Sequence, residues 1–208
     1  RRYLKQVEAF NRTHISDLAA ILDMKVTPVA DKLLIDWKEQ IKAEADRRGI
    51  TKEMLAGLEE AAASMLKKKN RNDNDLFVAL TRILVHRRAP IRQLNLFESD
   101  ELEGSPKELD ASLLLGAEIH LFRKFGRSYF YGFNRLAQAS SENPELFVRF
   151  SGALVDASLS QLLRKLSPSL SAAEQHRLLV EKAGEIFNQW NFPEASNVRR
   201  LITGIAKR

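Results

Sequence analysis

The sequence predicts an all-α protein built as two helical lobes joined by a partly extended, acidic linker. Three observations predict it. Gly and Pro are scarce, at 9 and 6 of 208 residues, while Ala, Leu, Lys, Glu and Arg dominate. Apolar residues recur at helical spacing in most segments, and no segment shows sustained strand alternation. Between Ala89 and Pro106 that periodicity stops, and a dense acidic run appears instead: Glu98, Asp100, Glu101 and Glu103. The expected organisation is a helical lobe over 1–88, a linker or long loop over 89–108, and a second helical lobe over 109–208.

In chain order, a first short helix is expected over Ser16 to Met24. Thr27-Pro28 has the form of a helix start, Thr as cap and Pro at the first helical position. Val29, Leu33, Trp37 and Ile41 then recur every four residues, until Gly49 stops the helix. Thr51 opens a third helix that ends on Lys67-Lys68-Lys69, where cations suit the helix dipole. After the polar loop Asn70 to Asn74, Asp73 or Asn74 caps a helix through Leu76, Leu80, Leu84 and His86.

The second lobe resumes with helices over Leu109 to Phe125 and Ser128 to Ala139, followed by one from near Ser141 or Asn143 to about Leu166. Pro144 sits in the first turn of that helix, where its missing N–H is least needed. Ser171 and Glu174 form a capping box, each satisfying the other's orphan amide. The helix they open ends near Trp190, and Asn197 to Ala206 forms a last short one.

Composition narrows the function. There is no cysteine, hence no disulfide framework and no thiolate metal site, which fits a reducing, cytoplasmic setting. No run of eighteen apolar residues suggests a membrane partner, and the start, Arg1-Arg2 followed by mixed polar residues, does not read as a secretory signal. The lack of an initial Met suggests a piece of a longer chain. No Gly-rich phosphate loop and no HExxH pattern occurs, and His14, His86, His120 and His176 are widely separated. The sequence therefore assigns no catalytic residue, metal ligand or cofactor to this chain. A macromolecular partner is the expectation that is left, with oligomeric state open.

Charge points toward an anionic partner. The formal balance is +6, from 33 Lys and Arg against 27 Asp and Glu, and the cations cluster. Arg82, His86, Arg87, Arg88 and Arg92 form one group, Arg123, Lys124 and Arg127 a second, and Arg199, Arg200, Lys207 and Arg208 a third. The first two are candidates for neutralising DNA phosphates without reading bases, and helix C-termini that favour cations are the alternative. The aromatic group Phe122, Phe125, Tyr129, Phe130, Tyr131 and Phe133, spaced by Gly126 and Gly132, reads as a tight helix–helix corner.

Two resemblances add to this. Gln93-Leu94-Asn95-Leu96-Phe97 resembles the bacterial sliding-clamp-binding motif, with Gln93, Leu94, Leu96 and Phe97 matching and Asn95 departing at the tolerant middle position. Apolar residues in an exposed linker need burial somewhere, either on the protein's own helices or in a partner's pocket. Tyr131 to Ala137, followed by Ser140-Ser141-Glu142-Asn143-Pro144-Glu145-Leu146-Phe147, resembles the lid of prokaryotic ATPases related to the origin-recognition and Cdc6 proteins. The helices from Ser171 to Ile205 look like the start of the winged-helix-like domain that follows such a lid. This second resemblance covers about 127–208 and implies a regulatory or DNA-associated region whose ATPase core, with its ATP and Mg, lies outside this chain. It makes Glu145 and Arg149 the nucleotide-proximal residues. Glu145 stands where the family has a phosphate-touching arginine and Glu142 where it has glycine; a carboxylate there repels phosphate, and Arg149 lies one turn on.

Overall fold

The computed structural model describes residues 10, 12, 15, 17–88 and 106–206, with the side chains of 88 and 106–111 outside that description. The described residues are all-helical, with no strand. After a short 3-10 turn, Leu18–Ile21, come α1 (Asp31–Arg47), α2 (Lys52–Lys68), α3 (Asn74–Arg88), α4 (Pro106–Phe125), α5 (Gly132–Ala139), α6 (Pro144–Leu163), α7 (Ala172–Asn188) and α8 (Ala195–Ala206).

The chain forms two compact units that divide it differently from the expected lobes. One is Thr27–Arg127; the other combines Arg1–Val26 with Ser128–Arg208. The first is thus inserted in sequence within the second. The expected boundary failed because α4, assigned to the second lobe, packs on α3. Its Leu113, Ala117 and Leu121 join the core of Leu34, Trp37, Ile41, Ala45, Leu58, Ala62 and Leu66. Residues 89–105 of the expected linker lie outside the described residues, whereas Pro106 already begins α4.

In the inserted unit α3 is the central helix. Leu76, Val78, Ala79, Leu80 and Val85 are all buried, which covers more than one face, and α1, α2 and α4 each pack against it. The helix starts are local chemistry. Thr51 caps α2 by accepting from the Met54 amide at 3.3 Å, and the left-handed Gly49 ends the turn after α1.

The expected start at Thr27-Pro28 does not form. α1 begins at Asp31 on Ala30, which gives no side-chain cap. The reason is tertiary: the Val29 amide donates to Oδ2 of Asp75 at 3.2 Å, and Val29 is itself buried, so 27–30 stay outside the helix. That carboxylate also accepts the Leu76 amide at 2.8 Å on Oδ1. Arg127 Nε stands 3.0 Å from Oδ2, a contact of opposite charges whose N–H is not aimed squarely at the oxygen. Asp75 therefore ties Val29, near the start of the inserted unit, to Arg127 at its end, with both charged side chains buried.

The other unit has its own staple. Gln175, at 1% exposure, accepts the Gly132 amide at 2.7 Å and donates to the carbonyls of Asp23 at 2.8 Å and Leu170 at 2.7 Å. Leu22 and Leu170 meet in a parallel bridge beside it. The core collects Phe10, Ile21, Leu136, Phe150, Leu154 and Leu179. Asn143 caps α6 with Pro144 in its first turn, and the Ser171–Glu174 capping box opens α7, as the sequence predicts. The helix expected over 16–24 is only the 3-10 turn capped by Asp17, and Ser128 to Tyr131 precede α5 without joining it. Among the described residues α6 alone is long and apolar enough to cross a membrane by length and composition; its Phe150, Leu154, Val155 and Ser158 are buried within this unit.

Replacing Asp75 by alanine leaves Arg127 buried without its partner and the Val29 amide without an acceptor. Urea unfolding should show a loss of about 3–5 kcal/mol. Asp73→Ala, which removes a half-exposed carboxylate from the loop just before α3, should lose about 1 kcal/mol or less. Equal losses in the two variants would show that the buried contacts are not what holds the unit.

Candidate functional site

Three helices of the inserted unit each carry a charged or protonatable pair at four-residue spacing: Glu44 and Arg48 on α1, Arg82 and His86 on α3, His120 and Lys124 on α4. Residues four apart share a helix face. Because α1, α3 and α4 pack together, the three pairs meet at the border of the core. Trp37, one stripe position before Ile41 and Glu44, forms the floor. Its ring stacks on His120 with centroids 5.3 Å apart and meets the edge of Phe125 at 5.0 Å.

The polar contacts make a chain. Arg48 donates to Glu44 Oε1 at 2.7 Å and to His86 Nδ1 at 3.0 Å. His86 Nε2 lies 3.0 Å from the same Glu44 oxygen. Arg82 donates to His120 Nε2 at 2.6 Å. A guanidinium has only donors, so the His120 nitrogen contacted by Arg82 must be an acceptor and that ring is neutral. Lys124 donates to the Gln40 side chain at 3.3 Å and lies 5.0 Å over the face of Trp37.

Electrostatics follow from this inventory. Five basic groups share one carboxylate. Burial, then Arg82, Lys124 and His86, push His120 down to about 4 from its ordinary 6.5. Burial and then Arg82 lower Lys124 against a small opposing pull from Glu44. Burial pushes the Glu44 carboxyl up, but the Arg48 hydrogen bond and the nearby His86, Arg48 and Arg82 outweigh it and hold it below the usual range. Glu44 is matched to Arg48 and His86. Arg82 and Lys124 are paired with neutral groups, so their charge is not cancelled by contact.

The cations expected to face phosphate meet different fates. Arg82 and Lys124 enter the cluster, while Arg87 and Arg123 are exposed on the same two helices. Arg127 is corrected: its side chain is 4% exposed and spent on Asp75, so it faces no ligand. The side chain of Arg88, and all of Arg92, Gln93, Leu94, Leu96 and Phe97, lie outside the described residues. Glu145 and Arg149 pair with each other at 2.8 Å on α6, both largely exposed. From the terminal group, Arg199 donates to the carbonyls of Asn188, the last residue of α7, and of Trp190 just after it. The aromatic group is no single corner. Phe125 packs in the inserted unit and Phe130 stacks on His176 in the other, while Phe133 stays half-exposed against the Phe147 edge.

Sequence reasoning missed Glu44, Arg48 and His120 as parts of the cluster. The signal was the repeated four-residue pairing on three helices, which acquires meaning only when the helices are brought together. No group of three His, Asp or Glu fit to hold a metal occurs among the described residues. Comparison of the chain with known protein families, with curated proteins and with solved structures finds no match.

His120 makes the unit acid-sensitive in a defined window. Its folded value near 4 lies below 6.5, so between those limits the unfolded chain takes up a proton that the folded chain refuses. Stability should fall as pH drops from about 6.5 toward 4 and lose its dependence on this group below. Desolvation of His176 acts in the same direction. Melting temperatures measured across that range should decline for the wild type and decline less for His120→Gln. An equal decline in both would place the acid sensitivity elsewhere.

Proposed function

We propose that this chain is a non-catalytic helical module that associates with the phosphate backbone of nucleic acid, DNA foremost, as part of a larger ATPase-like protein. The observation that carries the DNA reading is the pair of contact-uncancelled cations Arg82 and Lys124 on packed helices, with Arg87 and Arg123 exposed on the same helices. Rigid helices fix these charges at low entropic penalty, and phosphate contacts require charge and position, not base reading. The groups in the cluster offer hydrogen-bond donors and positive potential without a hydroxyl or thiol nucleophile set beside a base, which suits binding better than chemistry.

Attachment to an ATPase is supported by the arrangement of 132–163: a short helix, a tight turn with Ser141 and Glu142 in left-handed conformation, then a long helix. That order matches the lid-like pattern of the sequence. The Glu145–Arg149 pair argues for a lid that does not sense nucleotide, because Arg149 already has a carboxylate partner.

Fluorescence anisotropy with two unrelated DNA duplexes tests the DNA role. Binding should weaken steeply with salt, with a log–log slope of about −0.9 per phosphate neutralised. The double variant Arg87→Glu, Arg123→Glu should weaken both duplexes alike and flatten that slope. Absence of binding at low ionic strength would end this reading.

A further inference from the structure

We propose that His120 is a proton-coupled phosphate ligand: Arg82 occupies its Nε2 in the free protein, and an arriving phosphate oxygen draws Arg82 away while the freed nitrogen takes a proton from solvent and becomes a second donor. The inference rests on the reading of the α1–α3–α4 cluster as a phosphate-binding surface and names the group that makes it respond to pH.

The geometry assigns this role to His120 and not to its neighbours. Among the described residues Arg82 has no carboxylate in hydrogen-bond contact; its acceptor is the imidazole, at 2.6 Å from Nε2 and 3.3 Å from Nδ1. A neutral imidazole is a weaker acceptor for guanidinium than an anionic oxygen, so phosphate wins the exchange. His86 differs. Its Nδ1 meets Arg48, its Nε2 lies 3.0 Å from the Glu44 carboxylate, and Arg48 is held by the same carboxylate. A phosphate that pulled on Arg48 would have to displace Glu44 and would meet its repulsion. The cluster thus has a closed half and an open half.

The groups facing His120 can be named from each helix. Its own α4 gives Lys124; α3 gives Arg82 and His86; α1 gives Trp37 beneath the ring, with Glu44 and Arg48 beyond His86. Burial first, and then the cations Arg82, Lys124 and His86, are why the free ring refuses a proton. A phosphate oxyanion placed among Arg82, Lys124 and His120 reverses that balance, since an opposite charge at contact favours the protonated form. One proton enters from solvent, no covalent bond changes, and the bound state carries Arg82 and His120 both as donors. His120 is half-buried and Lys124 exposed, so a phosphate oxygen can approach from the solvent side.

The experiment is an NMR titration of the wild-type chain, following the His120 ring protons against pH with no addition, with 20 mM inorganic phosphate, and with a saturating 20-base-pair DNA duplex. Without addition the midpoint should lie near 4. Phosphate or duplex should raise it by about one unit or more, equivalent to at least about tenfold tighter binding to the protonated form. A shift with both probes identifies a general phosphate-oxygen site, and a shift with duplex alone identifies a backbone site; either supports the proposal. A midpoint unmoved by both overturns it. Duplex binding by anisotropy with an unmoved midpoint overturns it while leaving the proposed function intact. A shift with inorganic phosphate but no duplex binding does the reverse. As a second readout, His120→Gln should keep the salt slope of duplex binding and lose its tightening between about pH 6 and about 4.5.

Discussion

A helical unit inserted within another must hold its own first and last residues, and here the constraint falls on one buried carboxylate. Asp75 takes the Val29 amide at one end and the Arg127 guanidinium at the other. A charged pair buried this deeply gives up the hydration of both partners, so it is a poor source of net stability compared with packed apolar side chains. What it supplies is specificity of position. The incoming backbone and the outgoing side chain converge on the same oxygen, and α3, which carries that oxygen at its start, is also the helix around which the other three pack. Gln175 does the equivalent work with a neutral amide in the other unit, joining Asp23 before the insertion to Gly132 after it. Gly132 suits its place twice over. Its φ of 75° is left-handed, and a Cβ there would meet the Met24 sulfur at 2.5 Å.

Fixing α1, α3 and α4 in this way has an electrostatic consequence. Each helix brings one i,i+4 pair to the edge of the core, and only one of the six groups is an acid. Had the helices been free to rotate or slide, Arg82 and Lys124 would turn to water and His120 would behave as an ordinary imidazole. Held by the core, they stay together, and burial, with the positive field they create added to it, keeps His120 neutral. A reserve of repulsion maintained by packing is what a phosphate would relieve on binding, so fold stability and ligand preference oppose each other at this site.

The helices were legible because their signals are local. Caps at Thr51, Asn143 and Ser171 and the stop at Gly49 are each chemistry within four residues of a helix end. The failures were non-local. Thr27-Pro28 carries the right residues for a helix start, yet a carboxylate 46 positions away claims the amide of Val29 and keeps that stretch out of the helix. The lobe boundary was misplaced for a related reason: the acidic stretch before α4 looks like a divide in sequence, while the apolar face of α4 belongs to the core of α3. The site was half legible. Arg82 and Lys124 stood out as basic clusters, whereas His120 and Glu44 gain a role only from neighbours on other helices.

Net charge counts every cation equally, and the structure shows why that count is a weak guide to binding. Arg127 meets Asp75, Arg71 bridges Asp73 and Glu118, Arg149 meets Glu145, Arg48 meets Glu44, and Arg199 meets two backbone carbonyls. Each already has an acceptor, so an incoming phosphate would have to displace it. Arg82 and Lys124 instead rest on an imidazole, an amide and aromatic faces, all acceptors that a phosphate oxygen outcompetes. The argument for a ligand therefore rests on the weakness of the partners two cations have, not on the number of cations. By that measure the basic run at Arg123-Lys124 and the adjacent Arg127 divide sharply within five residues: one cation is committed to the core and the others face solvent.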